Sequence, residues 1–327
     1  MSWRDVDGHG TFDLGEDGLR AIAPEAFAAF DHMVAGVAGV PHPDLIELTR
    51  LRVGQVLGPI AGADAETPGG PEADVDVAAE KVRALASWSI SPMFTTVERT
   101  GLGFAEQFVV DVGAIDEEQR AALKEALGAD TFEYVQALYV LDHGLRLAAA
   151  LRQLFGVELT GPRSASAGDD AGAGMWPLVD SFLTSVARLS GLDALTTELV
   201  RLRGARAHQC RLCQSRRSLS AVSTDGGETA LDLVDVYETS DLSERHKVAL
   251  RLTDAIVWQP TAYPEGLADQ VRAQFGPAEA LEIVLDVARN ASNKIAVALG
   301  VDQPNVTEGV EYFDMDADGN LVDGLTR

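Results

Sequence analysis

Apolar residues recur along this chain at intervals of three and four positions, which is the spacing of one face of an α-helix. In the second half of the chain three such stripes are each long enough for several helical turns. Their members are Leu178, Phe182, Leu183, Val186 and Leu189; Val248, Leu252, Ala255 and Ile256; and Leu281, Val284, Leu285, Ala288, Ile295 and Leu299. Strand-like alternation is nearly absent, and the one ambiguous run, 108–112, is short enough to end a helix. The pattern predicts an all-α protein.

The chain also contains an internal repeat, which predicts two copies of one helical unit. Three blocks match in the same order, the first at an offset of 151 positions and the other two at 148. They are 47–54 with 198–205, 102–106 with 250–254, and 146–151 with 294–299.

The segment between the copies is rich in Gly, Ala, Ser and Asp and has no apolar periodicity, as is typical of a flexible linker. We therefore expect a first repeat over 1–156, a linker over 157–174 and a second repeat over 175–327. The tail after Pro304 is predicted to be a surface extension.

Composition and charge narrow the class of function. Of the 327 residues 46% are hydrophobic, so the chain can bury a core of ordinary size. The 51 acidic and 26 basic side chains give a formal net charge of −25. Such a surface repels phosphate backbones and anionic lipids, so we expect neither nucleic acid nor a membrane as partner. No apolar run approaches the ~20 residues of a membrane span, and the amino terminus lacks a secretory pattern. The expected location is the cytoplasm.

The two cysteines of the chain are its candidate chemistry. They form Cys210-x-x-Cys213, predicted on or entering a helix, and this spacing brings two sulfurs within disulfide reach. The positive end of that helix would stabilise a thiolate. By itself the motif fits a redox pair, half of a metal site, or two cysteines buried as small apolar side chains. The metal interpretation needs further ligands, and His208 is the one histidine close in sequence.

Glu198 precedes Cys210 by twelve positions, which gives Glu-x11-Cys-x2-Cys. With this motif the chain resembles the carboxymuconolactone decarboxylase/alkyl hydroperoxidase D family, whose redox members carry the same spacing and then a histidine four positions after the second cysteine. Segments 88–99, 198–203 and 290–296 are also similar to helices of that family. The resemblance covers most of both copies, and it implies two tandem helical bundles.

The resemblance implies roles for the site residues. Cys213 would attack a peroxide and pass through a sulfenic acid, Cys210 would resolve it as a disulfide, and Glu198 would head a proton relay. Thioredoxin-like logic instead favours Cys210 as the nucleophile, because it lies nearer the helix start. The family's relay histidine corresponds to Arg217, which at i+4 from Cys213 would lie on the same helical face. Its charge would favour a thiolate, but it cannot shuttle protons near neutral pH. An ordinary surface or ion-pairing role is the alternative for Arg217. His208 is the candidate substitute base, with a capping or solvated role as the alternative.

The first copy lacks the site. Pro59 and Gly62 stand at the positions that correspond to the cysteines, and a loop-like segment, 63–71, follows. Glu47, the counterpart of Glu198, is therefore interpreted as a retained structural residue. The first copy would serve as a packing partner that fills out an oligomer.

Together these observations predict an enzyme, a thiol-dependent oxidoreductase with antioxidant activity of the alkyl hydroperoxidase or peroxiredoxin type. Its substrate would be a hydroperoxide or a disulfide, a dithiol donor would return the electrons, and no bound cofactor or metal is expected. Two alternatives are a lyase or isomerase like the lactone decarboxylases, and a non-enzymatic helical scaffold with a vestigial pair. The family's rings imply a homo-oligomer, for example a pseudo-hexamer of three chains.

Overall fold

The computed structural model describes residues 12, 14–58, 78–163 and 174–326. Pro59, Gly62, the segment 63–71 and most of the predicted linker lie outside the described residues. The predicted all-α class is confirmed, because 67% of the structure is helical and its sheet has three short strands. No helix in the described part of the chain is both long enough and apolar enough to cross a membrane.

The first half of the chain contributes seven α-helices to the described structure. They are α1 Glu16–Ile22, α2 Pro24–Gly36, α3 Pro43–Leu57, α4 Ala79–Ala84, α5 Thr96–Asp111, α6 Glu117–Leu127 and α7 Thr131–Phe155. The ambiguous run 108–112 thus ends helix α5, as expected. Thr95 and Glu98 form a reciprocal capping box at the start of α5, which satisfies two backbone N–H groups there.

The second half contains nine α-helices among its described residues, most of them on the predicted stripes. They are α8 Met175–Ala187, α9 Ala194–Ala207, α10 Arg211–Gln214, α11 Leu219–Val222, α12 Gly227–Asp232, α13 Glu244–Trp258, α14 Leu267–Gln274, α15 Pro277–Asn290 and α16 Asn293–Ala298. The long third stripe is divided between α15 and α16. Asn290 and Ser292 flank the break, and such side chains favour turns over helix interiors.

Two contacts recur in the two halves at matched positions of the repeat. Arg52 of α3 pairs with Glu106 of α5 at 2.5 Å, and Arg203 of α9 pairs with Asp254 of α13 at 2.6 Å. Glu47 and Glu198 each form an ion pair with the arginine three positions later. Glu47 therefore has a partner within its own helix, as the structural interpretation of this residue requires.

One hydrophobic core runs through both halves, from Leu19 to Ala298. Helix α2 packs against α8, and the long α7 packs against both α8 and α15. On α7, the Tyr139 hydroxyl donates to the Ala288 carbonyl across this interface at 2.9 Å. Because the halves share a core, the boundaries at 156 and 175 stay a prediction.

The carboxy-terminal tail is more than a surface extension. Its strands β2 (Glu311–Met315) and β3 (Leu321–Leu325) form a hairpin, and β2 pairs in parallel with β1 (Arg216–Ser218). Between β2 and β3 the Asp316 carboxylate accepts the N–H groups of Asp318 and Asn320, a local bond that favours the turn. The sheet places the tail against the residues that directly follow Cys213.

Candidate redox site

Cys210 and Cys213 are joined by a disulfide, with their Cα atoms 5.3 Å apart. Cys210 caps the start of α10, and its Sγ accepts the Cys213 N–H at 3.2 Å. The Cys210 side chain lies wholly within the core, whereas Cys213 is half-buried. Of the two cysteines, Cys213 is therefore the one with surface exposed to solvent.

A sharp reversal of the backbone carries the chain from α9 into the cysteine turn. Gln209 adopts the left-handed conformation, with φ of 56°, and such a residue ends a helix and redirects the chain. The Cys210 N–H then returns to the Ala205 carbonyl at 3.0 Å. The two cysteines are thus attached to the end of α9, the helix that carries Glu198.

Glu198 is buried and its carboxylate is held by Arg201. The guanidinium donates to both carboxylate oxygens, at 2.6 and 2.7 Å, and the Ser218 N–H also donates to one of them. Arg201 donates in turn to the Cys213 carbonyl at 2.9 Å. Glu198 thus reaches the cysteines through Arg201, and its role in a proton relay stays a prediction.

Arg217 does not share a helical face with Cys213. The i+4 argument assumes that the cysteine helix continues, but α10 ends at Gln214 and Arg217 lies in strand β1. The helix ends because the chain there pairs with the carboxy-terminal hairpin. The Arg217 guanidinium donates to the backbone carbonyls of Gln214 and Arg216, each at 2.9 Å. Its role as a thiolate partner stays a prediction.

His208 is buried and is held by a partner away from the cysteines. Its Nδ1 lies 2.9 Å from Oδ1 of Asn293, next to Lys294. Burial, together with the positive charge of Lys294, lowers the pKa of His208 to about 3. Its imidazole is therefore neutral and a weak base at neutral pH, so the substitute-base hypothesis requires this environment to change.

A cluster of buried charges lies beside His208 and was not anticipated from the sequence. Asp142 of α7 accepts from Arg146 at 2.7 Å and from Lys294 at 2.5 Å. All three residues are at most 4% exposed. Because Asp142 faces two cations, its pKa is held below the usual range even though burial alone would raise it. His143, also buried, lies 3.5 Å from this carboxylate.

Sequence reasoning missed Arg201 and Asp302. The i, i+3 spacing of Glu198 and Arg201, which also occurs at Glu47 and Arg50, is a signal that could have identified the first. Asp302 is distant in sequence and has no comparable signal. In the structure it contacts Arg211, the residue that follows Cys210.

Two curated proteins are similar to this chain. They are "Uncharacterized protein MT2376" of Mycobacterium tuberculosis strain CDC 1551 / Oshkosh and "Uncharacterized protein Rv2313c" of strain ATCC 25618 / H37Rv. Each is 44% identical over 227 residues, which cover 68% of this chain and 79% of the relative. No family model matches the chain. No solved structure matches it either.

Proposed function

Since the chain belongs to one family with these two mycobacterial proteins, whose names assign no activity, we propose from its own geometry that it is a thiol–disulfide oxidoreductase. Cys213 and Cys210 cycle between dithiol and disulfide, and the substrate is a hydroperoxide or a disulfide. The observation that carries this proposal is the disulfide itself, which joins one fully buried cysteine and one half-buried cysteine.

The difference in burial supports Cys213 as the sulfur that meets the substrate. A thiolate must be accessible to its substrate, and of the two cysteines only Cys213 has surface exposed to solvent. The turn holds the two sulfurs within bonding distance, which supports Cys210 as the thiol that resolves the intermediate. This assignment agrees with the role that the family resemblance implies.

In the proposed oxidation, the two cysteines supply both electrons that reduce the peroxide. The Cys213 thiolate attacks one peroxide oxygen, the O–O bond breaks, and the departing alkoxide takes a proton to leave as an alcohol. The Cys210 thiol then attacks the sulfenic sulfur, the S–O bond breaks, and water leaves with the second proton. A dithiol donor returns two electrons and two protons by exchange, and itself becomes a disulfide. In the cytoplasm, the proposed location, reducing systems would regenerate such a donor.

The experiment that tests the proposal is a thiol titration of the reduced protein before and after a substoichiometric pulse of an alkyl hydroperoxide. We expect the wild type to lose both thiols for each peroxide consumed. Cys213→Ser should keep its remaining thiol, whereas Cys210→Ser should oxidise at Cys213 without forming an intrachain disulfide. Unchanged thiol counts in the wild type after hydroperoxide and after a disulfide oxidant would overturn the proposal.

A further inference from the structure

The turn between the two cysteines is bound by Asp302, which lies between α16 and the carboxy-terminal tail. The Asp302 Oδ2 atom accepts the Arg211 N–H at 2.8 Å, and Oδ1 accepts from the Arg211 guanidinium at 2.5 Å. The Asp302 carbonyl accepts the Leu212 N–H at 2.9 Å. Both N–H groups of the residues between Cys210 and Cys213 are thus occupied by one residue.

Asp302 is buried and ionised. Its residue is only 3% exposed, whereas the Arg211 side chain is 52% exposed. Burial alone would raise the pKa of Asp302, but the hydrogen bonds and the charge of Arg211 hold it below the usual value. A full negative charge therefore lies against the turn that carries both sulfurs. Its counter-charge is the guanidinium of Arg211, which lies at the end of a long, half-exposed side chain.

The carboxy-terminal tail, which follows Asp302 in the chain, is fastened to the residues just after Cys213. The Glu311 N–H donates to the Ser215 carbonyl at 2.9 Å, and β2 continues along β1. Farther along the tail, Asp314 accepts from the hydroxyl groups of Ser218 and Ser220 at 2.9 and 2.7 Å. These hydrogen bonds hold the tail against the segment after the cysteine turn, and none of them involves Cys210 or Cys213.

The negative charge of Asp302 affects the equilibrium between dithiol and disulfide. Reduction produces thiols, which can ionise to thiolates, whereas the disulfide is neutral at every pH. A nearby carboxylate disfavours a thiolate, and the Asp302 carboxylate also occupies the Arg211 N–H, which could otherwise bind one. A nearby guanidinium has the opposite effect. Stabilising the reduced, ionised form makes a disulfide easier to reduce.

We infer that Asp302 is a positioning residue that makes the Cys210–Cys213 disulfide harder to reduce, and that Arg211 opposes it. This inference rests on the proposed function, since only a pair that cycles has an equilibrium to shift. Other charged or titratable groups on the elements around the turn stay unchanged in the variants below. They are Glu198, Arg201, Arg206, His208, Arg216 and Arg217.

The test is the equilibrium of the pair with glutathione. The protein disulfide and two glutathione thiols give the protein dithiol and glutathione disulfide, so the fraction reduced at each glutathione ratio gives the equilibrium constant. At neutral pH, Asp302→Asn should raise the constant for reduction by roughly three- to tenfold. Arg211→Gln should lower it several-fold. Asp314→Asn, which removes a carboxylate from the carboxy-terminal tail, should stay within about twofold of the wild type.

Because the equilibrium constant is expected to rise in Asp302→Asn and to fall in Arg211→Gln, the two variants together distinguish an electrostatic effect from a loosened turn. A variant that merely loosens the turn would shift both constants in one direction, and circular dichroism with a thermal melt reports whether each variant keeps its fold. Constants for Asp302→Asn and Arg211→Gln that both match the wild type, or that move together, would overturn the inference while the proposed function stands. A wild-type disulfide that neither glutathione nor an excess of a strong dithiol reduces would overturn both.

Discussion

The substitution Asp142→Asn tests whether the buried charge cluster stabilises the fold. Asp142 is fully buried and accepts from Arg146 and Lys294, which are 4% and 3% exposed. The amide would leave two cations in the core without their counter-charge. Removing one partner of a buried ion pair costs about 3–5 kcal/mol, so we expect a loss of that size in the free energy of unfolding.

Urea unfolding at neutral pH, followed by circular dichroism, measures this loss. Glu117→Gln is the matched control, because Glu117 pairs with Arg120 at the surface with its side chain 88% exposed. Exposed pairs contribute about 0–1 kcal/mol, so the control should unfold almost like the wild type. Adding Lys294→Met to Asp142→Asn should recover part of the loss. A loss below about 1 kcal/mol for Asp142→Asn would refute the reasoning, because it would place the cluster in contact with water.

Two further predictions follow from the site. The pKa of His208 is lowered to about 3, whereas an unfolded chain has a value of about 6.5. The unfolded state therefore binds a proton that the native state does not, and stability should fall as the pH drops from about 6.5 towards 3. Urea unfolding over this range should show a flatter decline for His208→Gln, and parallel curves would contradict the assignment. Arg201→Gln leaves the buried Glu198 carboxylate unpaired and should lower the free energy of unfolding by about 2–3 kcal/mol. Arg50→Gln, its counterpart beside the more exposed Glu47, should lower it less in the same assay, and equal losses would argue against burial as the cause.

Periodicity along the sequence predicted the helices well, because each stripe reports directly on which face of a helix is buried. It placed the stripe that begins at Leu178 on α8 and that of Val248 on α13. It missed the division of the third stripe at 291–292, because the apolar spacing continues across the break, and only the helix-disfavouring Asn290 and Ser292 mark it. The hairpin of the tail was also missed, although its turn carries Asp316 and Gly319, residues that favour turns.

In the candidate site, only contacts between residues close together in the sequence could be predicted. The spacing of Cys210 and Cys213 predicted their proximity, whereas the ion pair of Glu198 with Arg201 was missed although its i, i+3 spacing is also local. The contacts from Asp142 to Lys294 and from Arg211 to Asp302 join residues that are far apart in the chain. Such pairs depend on how helices and tail pack, and a hydropathy pattern identifies a buried face without saying which residue lies opposite. Arg217 was misplaced for a related reason, because pairing with the tail ends α10 early.

The central claim is that the pair turns over, and the consumption of an alkyl hydroperoxide or a small disulfide in the presence of excess dithiol donor tests it most directly. We predict that the wild type consumes many equivalents of at least one of these oxidants per chain, whereas Cys213→Ser loses this activity almost completely. A wild type that stops after one equivalent of each oxidant, or a Cys213→Ser variant as active as the wild type, would contradict the account.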